Sequence, residues 1–206
     1  RRIPAGTFKM GYASTADVNK KEPNISQREV TLTKPYYIGV FEFTAKQVRL
    51  LTGSTNNTYL DLPTVNDKFD QIRGTYTTAG GAYDWPTDKT VDPNSYIGKL
   101  RARTGAAFDL PTEAQWEKAA RAGSSGIYYS SNSQDINATE LSKLAWSTDN
   151  EQSIHAVGLK LPNAYGLYDV LGNATEYVLD WYNASKPAGG VDPVGSTTKY
   201  YVAAKD

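Results

Sequence analysis

Cysteine is absent from this chain of 206 residues, which excludes disulfides, thiolate metal sites and cysteine catalysis within these residues. The redox compartment stays open, because a chain without cysteine carries no sign of one. An excess of either charge is also lacking, since 22 basic and 22 acidic residues give a net charge of zero. This balance offers no electrostatic case for binding nucleic acid or an anionic membrane surface.

Long apolar runs are missing too, and none approaches the roughly 20 residues that a membrane-spanning helix needs. Histidine occurs once, at position 155, so a metal site built around it would have to take its other ligands from oxygen atoms. The chain opens with Arg1 rather than Met, which we interpret as a processing boundary. A removed signal or lipoprotein segment is compatible with such a start.

Tyrosine is the abundant aromatic residue, with 15 Tyr against 5 Phe and 4 Trp. Its ring can be buried while its hydroxyl reaches water, a combination that suits half-buried strands and contact surfaces. The length is sufficient for one sizeable domain. We predict a single domain over residues 1–206, monomeric in solution.

Capping signals predict two or three short helices. Each predicted helix begins at a residue suited to cap its N-terminus, has apolar residues along one face, and ends at a glycine. The predicted starts are Thr44 with Gln47, Asp92 with Pro93, and Thr112 with Gln115. The predicted ends are Gly53, Gly105 and Gly123.

Short strands are predicted around these helices from apolar and aromatic runs between turn residues. They fall within residues 3–11, 30–42, 127–129, 145–146, 155–157 and 175–181. Residues 17–27 and 56–86 and the tail after Asn183 are rich in turn-forming residues and are predicted as loops. The fold class is therefore α+β. So many loops in one compact domain indicate functional loops or bound ions.

The most informative stretch is residues 163–182, which begins Asn-Ala-Tyr-Gly-Leu-Tyr-Asp-Val-Leu-Gly-Asn-Ala-Thr-Glu-Tyr. It combines aromatic rings, turn signals built on Gly and Asn, and acidic side chains. This mixture suits an ordered loop whose carbonyl and carboxylate oxygens point inward, which is how proteins hold calcium. It contains no evident nucleophile.

Several segments, in order, resemble the formylglycine-generating enzyme family, also known as the sulfatase-modifying factor domain. Two of them read Ile-Pro-Ala-Gly-Thr-Phe-Lys-Met-Gly and Asp-Leu-Pro-Thr-Glu-Ala-Gln-Trp-Glu-Lys-Ala-Ala-Arg. The segments are residues 3–11, 30–32, 37–44, 104–105, 109–121, 145–146, 155–158 and 163–182. The resemblance spans nearly the whole chain and implies an α+β fold of the C-type-lectin-like kind.

The chain also departs from the enzymes of that family. They carry a redox-active cysteine pair that binds copper(I) in a C-terminal block, and residues 199–206 end about where that block would begin. Thr175 and Tyr177 flank Glu176, whereas the family usually has an aromatic residue before this Glu and Trp after it. The resemblance extends to variable proteins of diversity-generating retroelements, which display ligand-binding residues on the same scaffold.

A calcium site is implied by the resemblance, because family members hold calcium in a loop equivalent to residues 169–176. By position, the ligands are the carboxylates of Asp169 and Glu176 and the backbone carbonyls of Gly172 and Ala174. The alternative is that the acidic and amide side chains here cap turns and form ion pairs.

Asp149 and Asn150 could contribute to the family's other calcium site, but their loop departs from the enzymes' pattern. The single histidine, His155, could in principle belong to a Ser-His-Asp triad, but no Gly-x-Ser-x-Gly context accompanies it. We predict a structural histidine beside a strand.

Carboxylate pairs for acid-base chemistry could be drawn from Glu113, Glu117, Glu176 and Asp180. Glu113 and Glu117 lie four residues apart on one predicted helix, and we predict that they occupy its exposed face. Asp180 is predicted to hold a loop in place. The Trp and Tyr side chains could line a ligand pocket, but most are predicted to build the core.

Three functional hypotheses follow. The first is a non-catalytic binding or display protein outside the cytoplasm, at the cell surface or secreted, with its ligand surface near the C terminus. The ligand would be an unidentified protein or other surface molecule. The second is a copper-dependent formylglycine-generating oxidase whose cysteines lie outside these residues. The third is an accessory domain fused to a partner such as a kinase or a methyltransferase.

Overall fold

The computed structural model describes residues 1–11, 27–55, 58–74, 90–126, 128–129, 137–146, 153–182, 189–195 and 201–205, with backbone alone for 181–182 and 201–205. These ranges contain five helices and seven strands. The helices are α1 Ala45–Thr52, α2 Phe69–Ile72, α3 Tyr96–Thr104, α4 Glu113–Arg121 and α5 Ala138–Leu144. The strands are β1 Arg2–Ile3, β2 Gly6–Met10, β3 Arg28–Leu32, β4 Tyr36–Tyr37, β5 Glu176–Tyr182, β6 Gly190–Val191 and β7 Tyr201–Lys205.

The described strands form three small sheets. β1 pairs with β4 in antiparallel fashion. β3 lies between β2, its antiparallel partner, and β6, its parallel partner. β5 pairs antiparallel with β7, with a register shift between Tyr177 and Trp181. Such short sheets bury little area alone, so the helices must complete the core.

Helix α4 is the centre of that core, because three separate buried clusters each include one or two of its residues. The clusters are Ala114 with Met10, Val30 and Leu32; Trp116 and Ala120 with Val178; and Ala119 with Ile3 and Leu167. The small Ala side chains let the helix approach both β2 and β5 closely. Three charged residues of this helix, Glu117, Lys118 and Arg121, are buried as well.

Those buried charges bind backbone groups near β2. Glu117 Oε1 accepts the N–H of Gly11 at 2.7 Å and the Nε of Arg121 at 2.7 Å. Arg121 also donates to the carbonyl of Gly11 at 2.8 Å. Lys118 Nζ donates to the carbonyl of Gly6 at 3.0 Å, and burial lowers the pKa of this lysine. The prediction that Glu117 lies on an exposed face is therefore wrong: its carboxylate is buried because it pairs with Arg121 and caps Gly11.

The predicted helix signals are largely confirmed. Thr44 and Thr112 both form complete capping boxes, and the helices that they begin are α1 and α4. Gly53 and Gly105 adopt left-handed conformations at the ends of α1 and α3.

The predicted start of α3 is wrong by three residues. Asp92 forms a turn instead, accepting the N–H of Asn94 on its side chain and that of Ser95 on its carbonyl. Ser95 then serves as the N-cap by accepting the N–H of Gly98 at 3.0 Å. The turn packs tightly on the helix, since a Cβ at Gly98 would lie 2.0 Å from the carbonyl oxygen of Asp92.

The C-terminal half differs more from prediction. Helix α5 was missed, although Asn137 caps it by accepting the N–H of Glu140 at 2.9 Å, a signal that the sequence contains. β6 and β7 lie in the tail predicted as loop, because pairing with distant strands formed them. The predicted strand at 155–157 is absent, and 145–146 contributes one isolated bridge at Trp146. Within the described ranges, no helix combines the length and apolarity needed to cross a bilayer.

Candidate functional site

The acidic loop, residues 169–176, contains all four predicted calcium ligands and leads directly into β5. Its backbone is left-handed at Asp169, Gly172 and Asn173, with φ of 55°, 84° and 66°. A Cβ at Gly172 would lie 1.6 Å from the carbonyl oxygen of Trp146, so only glycine fits at this crossing. The loop is thus fixed in an irregular shape by a close backbone contact.

Asp169 is buried and bound on both of its carboxylate oxygens. The N–H of Gly158 donates to Oδ2 at 2.6 Å, and the indole Nε1 of Trp146 reaches Oδ1 at 3.3 Å. Burial raises the pKa of Asp169, while these two hydrogen bonds and the nearby charge of Lys160 act in the opposite direction. The carboxylate therefore joins two other segments to the loop.

Glu176, the first residue of β5, accepts a hydrogen bond from the indole Nε1 of Trp116 on α4. Burial raises the pKa of Glu176, and the negative charge of Asp169 raises it further, while the indole hydrogen bond opposes both. The charge of Asp169 thus acts on Glu176, although each carboxylate is hydrogen-bonded to a different indole.

A third acidic side chain, Glu42, was not predicted as part of the site. It is only 6% exposed, and its two oxygens accept Nδ2 of Asn173 at 2.6 Å and the N–H of Ala174 at 2.8 Å. The pKa of Glu42 is raised to about 8, chiefly by burial and also by the charges of Glu176 and Asp169, against the effect of its hydrogen bonds. Glu42 therefore holds the acidic loop in place through its hydrogen bonds to Asn173 and Ala174.

A sequence signal for Glu42 does exist. Glu42 is a charged residue flanked by Phe41 and Phe43, in a segment predicted to contain mostly strand. A carboxylate in such surroundings is rarely buried without a partner, so its position indicates a role in holding something polar. What the sequence does not reveal is that this partner lies some 130 residues away.

A small cavity of about 70 Å³ lies beside these carboxylates, between residues 38–42, α4 and residues 167–170. Its lining is mostly apolar with two acidic residues and consists of Ile38, Gly39, Val40, Phe41, Glu42, Trp116, Ala119, Ala120, Leu167, Tyr168, Val170 and Glu176. A cavity needs about 10–15 Å³ to hold one water molecule, so this space can hold water beside the two carboxylates.

Calcium can be judged against this donor set. The available ligands are all oxygens, and the charges of Asp169 and Glu176 raise the pKa of Glu42, an arrangement that a divalent cation would balance. Among the residues described, no three His, Cys, Asp or Glu side chains converge closely enough to hold a metal ion by themselves. A cation would therefore also need carbonyl oxygens, which the predicted set of two carboxylates and two carbonyls includes. The chemistry fits, and calcium stays a prediction. Asp149 and Asn150 lie outside the described residues.

His155 lies next to the acidic loop, and its ring stacks on that of Trp146, with centroids 3.8 Å apart and planes 9° apart. The ammonium of Lys160 lies 3.7 Å from the centroid of the same indole. The Oγ of Ser153 is 3.5 Å from His155 Nε2, too long for an activated nucleophile. This geometry is consistent with the structural role predicted for the histidine.

The other predicted carboxylates belong to the scaffold. Asp180, on β5, is buried and accepts the N–H of Glu113 at 2.5 Å, so it binds the first turn of α4, where a negative charge is favourable. It packs against Gly195, where a Cβ would meet its Oδ1 at 2.4 Å. Trp116 lies in the core, as predicted for most of the aromatic residues. The side chains of Trp85 and Trp181 are not described.

Comparison with known families matches residues 2–204 to the sulfatase-modifying factor enzyme 1-like domain. The chain belongs to this family. The match covers almost every residue, so the predicted α+β fold of the formylglycine-generating-enzyme type is confirmed. The acidic loop and Glu42 both lie within the family domain.

Two relatives place this sulfatase-modifying factor domain among both active and inactive proteins. The formylglycine-generating enzyme of Thermomonospora curvata is 33% identical over 109 residues, covering 46% of this chain and 36% of that enzyme. The inactive C-alpha-formylglycine-generating enzyme 2 of Bos taurus is 29% identical over 218 residues, covering 89% of this chain and 71% of the relative. The chain therefore matches only about a third of the bacterial enzyme's length.

Among solved structures, variable protein 1 of Treponema denticola superposes on the domain with a TM-score of 0.65. The superposition covers 97% of this chain and 79% of that protein, at 21% sequence identity. At so low an identity the likeness establishes the fold and leaves function to the site itself.

Proposed function

We propose that this domain is a non-catalytic ligand-binding or display protein outside the cytoplasm, at the cell surface or secreted. The observation that carries the proposal is a sulfatase-modifying factor domain matched over residues 2–204 without a single cysteine. The oxidases that the chain resembles need a cysteine pair to bind copper and oxidise their substrate. A scaffold that keeps the fold and lacks those thiols is suited to presenting a surface.

The superposition on a variable protein covers 97% of this chain, so the scaffold in this proposal has the fold of a variable protein. The relative named as an inactive enzyme supports the non-catalytic part of the proposal. The ligand surface in this proposal lies near the C terminus, around β5 and β7, and is diversified by a retroelement. The ligand is another protein or surface molecule, bound by a monomer.

The alternative is a copper-dependent formylglycine-generating oxidase. It is favoured by 33% identity to the Thermomonospora curvata enzyme over 109 residues. It requires a cysteine pair that these 206 residues do not contain. The longer encoded sequence distinguishes the two: a downstream cysteine pair favours the oxidase, and a template repeat beside a reverse-transcriptase gene favours display.

A direct assay tests the non-catalytic reading of this chain. The purified 206-residue protein is incubated with copper(I), oxygen and a cysteine-containing sulfatase peptide, and the peptide mass is followed. We expect no conversion of cysteine to formylglycine, while the Thermomonospora curvata enzyme converts the same peptide in parallel. Turnover by this chain above a no-enzyme control would overturn the proposal.

We further propose that the acidic loop binds calcium through the carboxylates of Asp169 and Glu176 and the carbonyls of Gly172 and Ala174. Bound calcium would supply positive charge where Glu42 and Glu176 otherwise repel each other. A ligand at 100 times its Kd stabilises the fold by about 2.7 kcal/mol. For a chain of this size each kcal/mol raises Tm by about 2–4 °C.

The calcium proposal is tested by melting the protein in CaCl2 and in EGTA. We expect a Tm higher by roughly 5–10 °C in calcium, and a much smaller increment in Glu176→Gln. Glu140→Gln, which removes an exposed carboxylate on α5, is the matched control and should keep the full increment. Equal melting in CaCl2 and EGTA, with no heat of binding by calorimetry, would rule the site out.

A further inference from the structure

The side chain of Asn173 joins three separate segments of the chain. Its Oδ1 accepts the N–H of His155 at 2.9 Å, and its Nδ2 lies 3.3 Å from the carbonyl of the same residue. Nδ2 also donates to Glu42 at 2.6 Å, and the neighbouring N–H of Ala174 donates to the other oxygen of that carboxylate. The amide therefore uses both its acceptor and its donor groups to hold the acidic loop against two other segments.

Residues 155–158 are attached to the acidic loop at both ends. Asn173 binds the backbone at His155, and Asp169 binds the N–H of Gly158 at 2.6 Å. Little space is left around this attachment, since a Cβ at Gly158 would lie 2.7 Å from the ring of Phe41. A four-residue segment held at both ends cannot stay in place if the loop changes shape.

The Trp146 ring connects to the same loop by a third route. Its indole Nε1 reaches Asp169, its backbone N–H donates to the carbonyl of Leu171 at 3.0 Å, and its ring stacks on His155. The stacked pair therefore contacts the acidic loop at Asp169 and Leu171 through Trp146 and at Asn173 through His155.

We propose that Asn173 is a positioning residue that couples divalent-cation occupancy of the acidic loop to the position of residues 155–158 and their stacked rings. The inference rests on the calcium site proposed above. Asn173 lies between Gly172 and Ala174, whose carbonyls would bind the cation. A cation that pulls those two carbonyls towards itself reorients the backbone of Asn173. Its side chain transmits that change to His155.

The residue type fits this role. Asn173 has a φ of 66°, a left-handed conformation that favours Gly or Asn. For other residues the Cβ comes too close to the following backbone carbonyl oxygen. Only Asn adds an amide that can accept one backbone N–H and donate to a carboxylate at the same time. Because coupling between two sites is reciprocal, holding residues 155–158 in place must also change calcium affinity.

The experiment uses the single histidine of the chain, whose imidazole gives one set of proton NMR signals. The full 206-residue protein is titrated with CaCl2 at constant pH, and calorimetry measures binding in parallel. The key variant is Asn173→Gly, which tolerates the left-handed backbone and removes only the side chain. Asn137→Gly, which removes the cap of α5, is the matched control.

We expect calcium to shift the His155 resonances of the parent protein and of Asn137→Gly. In Asn173→Gly that shift should fall at least about fivefold, while calcium still binds with an affinity weakened by no more than about 100-fold. Asn173→Asp keeps the acceptor for His155 but not the donor to Glu42, and should show an intermediate response.

Two results would overturn the inference. One is calcium binding to the parent protein without any movement of the His155 resonances, which would leave the calcium site intact and refute the coupling. The other is an undiminished shift in a folded Asn173→Gly. The absence of calcium binding to the parent protein by calorimetry would instead refute the calcium site itself, and the inference with it.

Discussion

The buried pair of Glu117 and Arg121 offers a strong test of how this domain is held together. The two residues are 7% and 3% exposed, and Arg121 Nε donates to Glu117 Oε1 at 2.7 Å. Arg121 also donates to the carbonyls of Gly126 at 3.1 Å and Gly11 at 2.8 Å. One guanidinium therefore anchors two chain segments beside α4.

Replacing Arg121 by Met keeps an unbranched side chain of similar reach and removes the charge. Glu117 is then a buried carboxylate with only the N–H of Gly11 as a described partner. Removing one partner of a buried pair costs about 3–5 kcal/mol, and the loss of the guanidinium hydrogen bonds to the two carbonyls places this variant at the upper end. A loss of this size lowers Tm by roughly 6–20 °C at this chain length.

A double-mutant cycle separates the pair from the packing. Arg121→Met and Glu117→Gln each leave one buried charge unpaired, whereas the double variant leaves none. We expect the double variant to be more stable than the sum of the single losses predicts, by about 2–3 kcal/mol. Urea denaturation followed by tryptophan fluorescence gives the free energies of unfolding. Arg103→Met, on the exposed face of α3, is the control and should cost little.

The reasoning would be refuted by a cycle that is additive within about 0.5 kcal/mol. It would also fail if Arg121→Met alone cost less than about 1 kcal/mol, the range of exposed ion pairs. Either result would mean that α4 is held by its apolar contacts and not by its buried charges.

Three further predictions concern single positions. The pKa of Glu42 rises from 4.5 to about 8 on folding. In EGTA, protonation of Glu42 therefore stabilises the fold fully below pH 4.5. As the pH rises from 4.5 towards 8, the free energy of unfolding falls by up to about 1.4 kcal/mol per pH unit. Urea denaturation from pH 5 to 9 should show that slope, and Glu42→Gln should show a smaller one, since burial also raises the pKa of Asp169 and of Glu176; an equal slope in the variant contradicts the assignment. Gly98→Ala meets backbone at 2.0 Å and should lower stability by about 3 kcal/mol or more, whereas Gly53→Ala, with open space around it, should cost only about 1–2 kcal/mol for its left-handed backbone; equal Tm values would refute the difference. Asn137→Ala should cost about 1 kcal/mol and speed amide exchange in α5 alone, and unchanged exchange there would show that the cap is dispensable.

Local signals were sufficient for much of the fold. The capping boxes at Thr44 and Thr112 depend on side chains three residues apart, so the sequence predicts them directly. The N-cap of α3 lies three residues from the predicted one, because Ser95 and not Asp92 caps the helix. α5 has a visible cap at Asn137, but the short strands and turns predicted after Gly123 include no helix there.

Contacts between segments far apart in the sequence were not predicted from local signals. β6 has two residues and becomes a strand because it pairs with β3 some 160 residues earlier. Glu117 was predicted to be exposed because it lies four residues from Glu113 on the same helix, yet Gly11 and Arg121 bind it in the interior. Whether a charge is buried depends on partners that local pattern does not reveal.

The sequence by itself determined the family, the α+β class and the loop that contains the candidate ligands, because each of these is written in short contiguous motifs. The tertiary structure alone decided that Glu42 lies beneath that loop and that Asn173 joins it to His155. It also showed that the two carboxylates, Asp169 and Glu176, are bound by different indoles. The physical reason is distance along the chain: burial and hydrogen bonding between residues far apart set the electrostatics of a site, and only folding brings them together.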